Sequence, residues 1–119
     1  MTSSTVRIQH VQHDTMRLLR DFQGLEVRLT DERLDHILVH PEMRGSEAAI
    51  GVTLAFPERV IESLFDHDIR LYYRFYRRTV VGAKHLCVVV KIGAEDALVL
   101  TAYLTDSIKR GRRVWPETE

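Results

Sequence analysis

The chain has 119 residues, enough for one core of normal size and too few for two, and 45% hydrophobic with 29% charged residues is a globular composition. The single cysteine, Cys87, excludes an internal disulfide and any multi-cysteine zinc site. No run of 18 apolar residues is present to cross a membrane, and MTSSTVRIQH lacks the apolar stretch of a signal peptide, so a cytoplasmic protein is expected.

Seventeen basic and 17 acidic residues cancel, but their layout is uneven. Residues 31–68 hold nine acids and three bases, whereas residues 69–113 hold ten bases and three acids. Such asymmetry fits an anionic partner for the second half, or two halves that neutralise each other through surface contacts.

In chain order, residues 1–15 are polar and weakly patterned and read as a mobile arm. MRLLRDF and LEVRLT flank Gln23-Gly24, a hairpin with a glycine-containing turn. Thr30-Asp31-Glu32 is a helix N-cap with acids in the first turn. Leu34, Ile37 and Leu38 continue it as an apolar stripe, and Pro41 ends the helix near Val39 or His40. SEAAIGVTLAF is a second helix, closed before Pro57.

From there the period becomes two. RVIESLF, IRLYYRFY, HLCVVVKI and ALVLTAYLT are strand-like runs with short links. Cys87, inside LCVVV, is a buried small hydrophobe by this pattern. The expected fold is α+β: an N-terminal hairpin and two helices packed on one face of an antiparallel sheet of about four strands. The domain spans residues 16–113, with 114–119 as a tail.

Alternation splits each strand in two. If the last three strands are neighbours in register, one face gathers Arg70, Tyr72, Arg74, Tyr76, Lys91, Thr101, Tyr103 and Thr105. Guanidinium and ammonium groups suit phosphates and tyrosine rings suit bases, so this face reads as an RNA-binding surface. An exposed sheet face rich in strand-forming Tyr and Thr accounts for part of the same pattern.

Residues 36–43, HILVHPEM, place His36 and His40 four apart. A zincin-type pair would need a glutamate where Ile37 stands and a third ligand; only Asp35 or Glu42 is near, and Pro41 breaks the helical geometry. Both histidines lie off the apolar stripe, so they also fit as surface groups at a helix C-terminus. Acid–base chemistry is the third reading: a histidine pair can deprotonate a 2′-hydroxyl and protonate the leaving oxygen, with Arg70, Arg74 and Lys91 balancing phosphorane charge.

VRLTDERLDHILVHPEM (27–43), RLYYRFY (70–76), KHLCVVVKI (84–92) and LTAYLTDSIKRG (100–111) together resemble one family. It is the phage- and toxin-associated nuclease-like group related to barnase, EndoU, colicin nucleases and RelE toxins, over roughly residues 16–111. The resemblance implies an α+β nuclease-like domain that cleaves RNA without metal or cofactor. Of the matching residues, His36, His40, Arg70, Lys91 and Thr101 would be catalytic and Tyr72 and Tyr103 would bind substrate; Arg74 of the polar strand face and Lys109 of the basic segment are added to the substrate-binding set from the sequence pattern. Two other readings stand beside it, a non-catalytic RNA- or protein-binding module of the same fold and a toxin kept silent by a cognate antitoxin; an exposed sheet edge could support a homodimer. The helix histidines meet the polar sheet face only if their helix end curls around the sheet edge.

Overall fold

The computed structural model describes residues 16–117; the arm expected over residues 1–15 lies outside the described residues, as do residues 118–119. The chain runs β1 (Met16–Arg20), β2 (Glu26–Thr30), α1 (Asp31–Leu38), a 3-10 turn (Pro41–Met43), α2 (Glu47–Ala55), β3 (Arg59–Ser63), β4 (Ile69–Tyr76), β5 (Lys84–Ile92), β6 (Ala97–Thr105) and β7 (Gly111–Trp115).

All seven strands join one sheet in the order β1-β2-β6-β5-β4-β3-β7. Every pairing is antiparallel except β2 with β6, which is parallel. The class is α+β, but the expected four-stranded antiparallel sheet is wrong: the sheet is mixed and has seven strands. Two physical causes account for the error. The N-terminal hairpin does not stand apart but docks on the far edge of the meander, where Arg28 pairs with Leu98 and its guanidinium forks onto the Asp96 carboxylate. The last strand, GRRVW, hides its alternation behind two adjacent arginines, and it pairs along β3 through Glu62–Arg112 and Ile61–Arg113. Val114 and Trp115, assigned to the tail, are the end of that strand.

Local signals explain the helices. The Thr30 hydroxyl accepts from Arg33 N at 3.1 Å and caps α1, whose first turn carries Asp31 and Glu32. Its stripe buries Leu34 and Ile37, and Pro41 starts a separate 3-10 turn after Val39 caps the helix end. α2 buries Ile50, Thr53 and Leu54. The two helices cover one side of the sheet over Val27, Leu29, Tyr72, Leu86, Val88, Val90, Val99 and Ala102, which form the main core. The other side is a smaller, thinner cluster: Ile61, Leu71, Tyr73 and Cys87, edged by Ile69, Val89, Tyr103 and Ile108. Among the described residues no helix is long and apolar enough to cross a membrane.

Candidate nucleic-acid interface

Register decides which side each polar side chain occupies, because directly paired residues share a face. β4 pairs with β5 as Tyr72–Val88 and Tyr73–Cys87, so Arg70, Tyr72, Arg74 and Tyr76 turn toward the helices. Ile69, Leu71, Tyr73 and Phe75 share the open side with His85, Cys87, Val89 and Lys91. β6 departs from simple alternation. Val89 pairs with Thr101 but Val90 pairs with Val99, so Leu100 is an extra residue and the strand changes face there. Thr101, Tyr103 and Thr105 therefore lie on the open side while Val99 is core.

The face expected to gather eight polar residues is thus divided by the sheet itself. Lys91, Thr101, Tyr103 and Thr105 hold the open side; Arg70, Tyr72, Arg74 and Tyr76 lie on the helix side. There the β4 residues have structural roles. The Tyr72 hydroxyl donates to Asp21 Oδ2 at 2.8 Å, and Asp21, 5% exposed, also accepts from Gln23 N and Leu25 N. Burial first, and then the Asp21 carboxylate, push the Tyr72 phenol well above the ordinary range. Arg74 Nη1 donates to the Phe56 carbonyl at 2.6 Å, closing the end of α2. The Tyr76 hydroxyl meets Thr53 Oγ1 at 3.0 Å and Ala49 O at 3.2 Å. Arg70 pairs in register with Glu62 and acts electrostatically on both Glu62 and Tyr72.

His36 and His40 are exposed on the outer layer, on α1 and just after it, and α1 packs against β6 and β2 from the helix side. Because α1 packs on β6 and β2 from the helix side, the sheet lies between that helix and the open-side residues Lys91, Thr101 and Tyr103. Among the described residues no group of three or more His, Cys, Asp or Glu side chains could hold a metal ion.

The open side carries the cleft. It measures about 550 Å³ and is floored by Ile69, Leu71 and Val89, with Thr101 and Tyr103 on one wall and Lys109 and Arg110 on another. Leu64 and Phe65 form its outer rim. A second, shallower groove of about 530 Å³ continues from Lys109 and Arg110 to Arg59 and Arg113. Among the described residues four cations border the two depressions, and no carboxylate lines either. Arg59 and Arg110 make no ion pair within the described residues. The uneven charge of the sequence is only partly spatial: Lys109, Arg110 and Arg113 come from the basic half, but Arg59 comes from the acidic half, and Arg70 and Arg74 of the basic half lie on the helix side.

Beneath the cleft sits a phenol–thiol cluster. Tyr73 Oη accepts from Lys109 N at 3.1 Å, which pins the basic segment to the sheet, and the Lys109 ammonium lies 5.9 Å from the centre of the Tyr103 ring. Burial pushes the Cys87 thiol up to about 11 and the Tyr73 phenol up to about 12; it also raises Tyr103. These groups stay protonated near neutral pH and serve as hydrogen-bond donors. Lys91, paired across the strands with Ile69 on the open side, is tied to Asp66 at 2.9 Å, a bond that raises the lysine and lowers the carboxyl.

Arg59, Phe65, Arg110 and Arg113 are the residues that sequence reasoning missed. The basic tail was a visible signal for two of them, but only the β3–β4 and β3–β7 registers bring Arg59 and Arg113 to the same face as Tyr73 and Ile61. Comparisons with protein-family models, with curated proteins and with solved structures return no match. The nuclease-like resemblance accordingly rests on its short motifs.

Proposed function

We propose that this chain binds RNA across the open face of its sheet. The observation that carries the reading is the acid-free strip of Arg59, Lys109, Arg110 and Arg113 alongside a cleft walled by Thr101 and Tyr103. The cations match a phosphate backbone, and the hydroxyls match sugar hydroxyls, the feature that separates RNA from DNA.

Metal-independent cleavage of that RNA is the second reading. It is favoured by Lys91, Thr101, Tyr103 and Lys109, four residues of the expected site that do share one side of the sheet. A protonated phenol can give a proton to a leaving oxygen and ammonium groups can balance phosphorane charge. No imidazole or carboxylate lines the cleft among the described residues to take the 2′-hydroxyl proton, so binding is the reading placed first.

The test is titration of an RNA oligonucleotide and a DNA of equal sequence by fluorescence anisotropy in EDTA at several salt concentrations, followed by analysis of the RNA ends. Binding that weakens with salt and prefers RNA is the expected result. New 2′,3′-cyclic phosphate ends would promote the second reading. Absence of binding at low salt would defeat both.

A further inference from the structure

The cleft is chemically two-sided in a way that phosphate binding alone does not require. One wall is cationic, with Lys109 and Arg110, but its floor of Ile69, Leu71 and Val89 and its rim of Leu64 and Phe65 are apolar. Phe65 is 98% exposed, the largest exposure of any large hydrophobic side chain among the described residues, and Leu64 is 62% exposed. An apolar floor gains nothing from a phosphate, whereas the face of a nucleobase fits it.

The turn that presents Phe65 is braced. Phe65 N donates to Ser63 Oγ at 3.1 Å, and Asp68 N donates to Asp66 Oδ1 at 2.9 Å. Ile69 N donates to the Asp66 carbonyl and Ile92 N to the Asp68 carbonyl, at 3.0 and 2.7 Å. Asp66 Oδ2 holds Lys91 on β5. The backbone that carries the ring is tied at five points and so is pre-organised, leaving the rotamer of the exposed ring to be fixed when a base stacks on it.

We infer that the cleft is a subsite for one unpaired base of a single-stranded RNA, with Phe65 as the stacking platform and Lys109 and Arg110 on the adjoining phosphate. This deepens the RNA-binding reading and rests on it. A duplex cannot use the subsite, because its bases are stacked on each other and turn only their edges outward. The volume of about 550 Å³ lies within the roughly 300–1,000 Å³ of sites that enclose a small molecule or one unit of a polymer.

The experiment uses the full chain, a single-stranded RNA containing 2-aminopurine, and the same RNA as a blunt duplex. Wild-type protein is compared with Phe65→Ala, Phe65→Tyr and a Lys109→Gln/Arg110→Gln double variant, each checked for an unchanged unfolding transition. The expected result is preference for the single strand, a 2-aminopurine signal change, a loss of about ten-fold or more in Phe65→Ala and recovery in Phe65→Tyr. Equal binding of duplex and single strand overturns the inference. So does a Phe65→Ala protein that binds as wild type while the double variant weakens, an outcome that leaves the RNA-binding reading standing. No binding of either RNA by wild type at low salt overturns that reading as well.

Discussion

Tyr72 and Tyr73 are adjacent in the chain and serve opposite sides of the sheet: Tyr72 Oη donates to Asp21 on the helix side, and Tyr73 Oη accepts from Lys109 N on the open side. One locks the N-terminal hairpin turn to β4. The other anchors the basic segment over the cleft. Phe22 completes the first lock, edge-on to Tyr72 at 6.3 Å and 5.2 Å from Trp115 of the last strand. The single Tyr72–Asp21 bond thus joins β1–β2, β4 and, through Phe22, the β7 edge.

Tyr72→Phe is therefore expected to destabilise the fold while sparing RNA binding. The change strips a partner from a carboxylate that is 5% exposed, which costs about 1–3 kcal/mol. Urea unfolding should show a lower midpoint with an unchanged slope, and anisotropy should show RNA affinity within about two-fold of wild type. A large loss of affinity in a folded Tyr72→Phe protein would return Tyr72 to the binding site.

Binding is expected to follow the sides of the sheet, not the composition of the strands. Lys109→Gln and Arg110→Gln should each weaken RNA binding and reduce the slope of log affinity against log salt by about 0.7 for each phosphate left without its cation. His36→Ala, His40→Ala and Arg74→Gln should leave that slope unchanged, because these residues lie on the helix side or its outer layer. A changed slope in His40→Ala would place the nucleic acid on the helices.

That division marks where the sequence was legible. The Thr30 cap, the stop at Pro41, the glycine turn at Gly24 and the alternation of β4 and β5 are local, and each was readable from a few neighbouring residues. Which face of β4 meets which face of β5 is not local. It depends on how the connection over residues 77–83 sets register, and a one-residue offset sends Tyr72 to Val88 in place of Cys87. The bulge at Leu100 left no mark in an unbroken run of apolar and hydroxyl residues. Arg59 and Arg113 reach the basic strip through pairings some 14 and 52 positions away in sequence, to Tyr73 and Ile61. The charge imbalance between the halves was legible, but the fold redistributes it: Arg59 of the acidic half joins the basic strip, and Arg70 and Arg74 of the basic half turn to the helix side.

Gly111 opens β7 where the strand presses closest on β3. A Cβ there would lie inside van der Waals contact with Ile61 Cγ2 and the Glu62 carbonyl, one of them backbone that cannot step aside. Gly111→Ala is expected to cost about 1–3 kcal/mol as overpacking and to shift β7 with its neighbours Lys109, Arg110 and Arg113. Thermal unfolding reads the first effect and RNA titration the second. A variant of wild-type stability would show that β7 slides freely along β3.

Acid should unfold the protein partly through two ion pairs on the β3–β4 arm. Arg112 Nε meets Glu62 Oε1 at 2.5 Å and Lys91 Nζ meets Asp66 Oδ2 at 2.9 Å; these hydrogen bonds hold both carboxyls below their ordinary values. A carboxyl lowered in the fold binds fewer protons than in the unfolded chain, so its stabilisation is complete above the unfolded values of about 3.9–4.3. It is lost as pH falls through the lowered folded values. Arg112→Met and Lys91→Met should each lower the urea midpoint at pH 7 and flatten its decline toward pH 3, because the partner that depresses the carboxyl is gone. The effect should be modest, since Lys91, Asp66 and Arg112 are solvent-exposed enough for screening, and 0.5 M salt should shrink it further. A decline as steep in both variants as in wild type would assign the acid sensitivity to other carboxylates, with the Arg28–Asp96 pair the next to change.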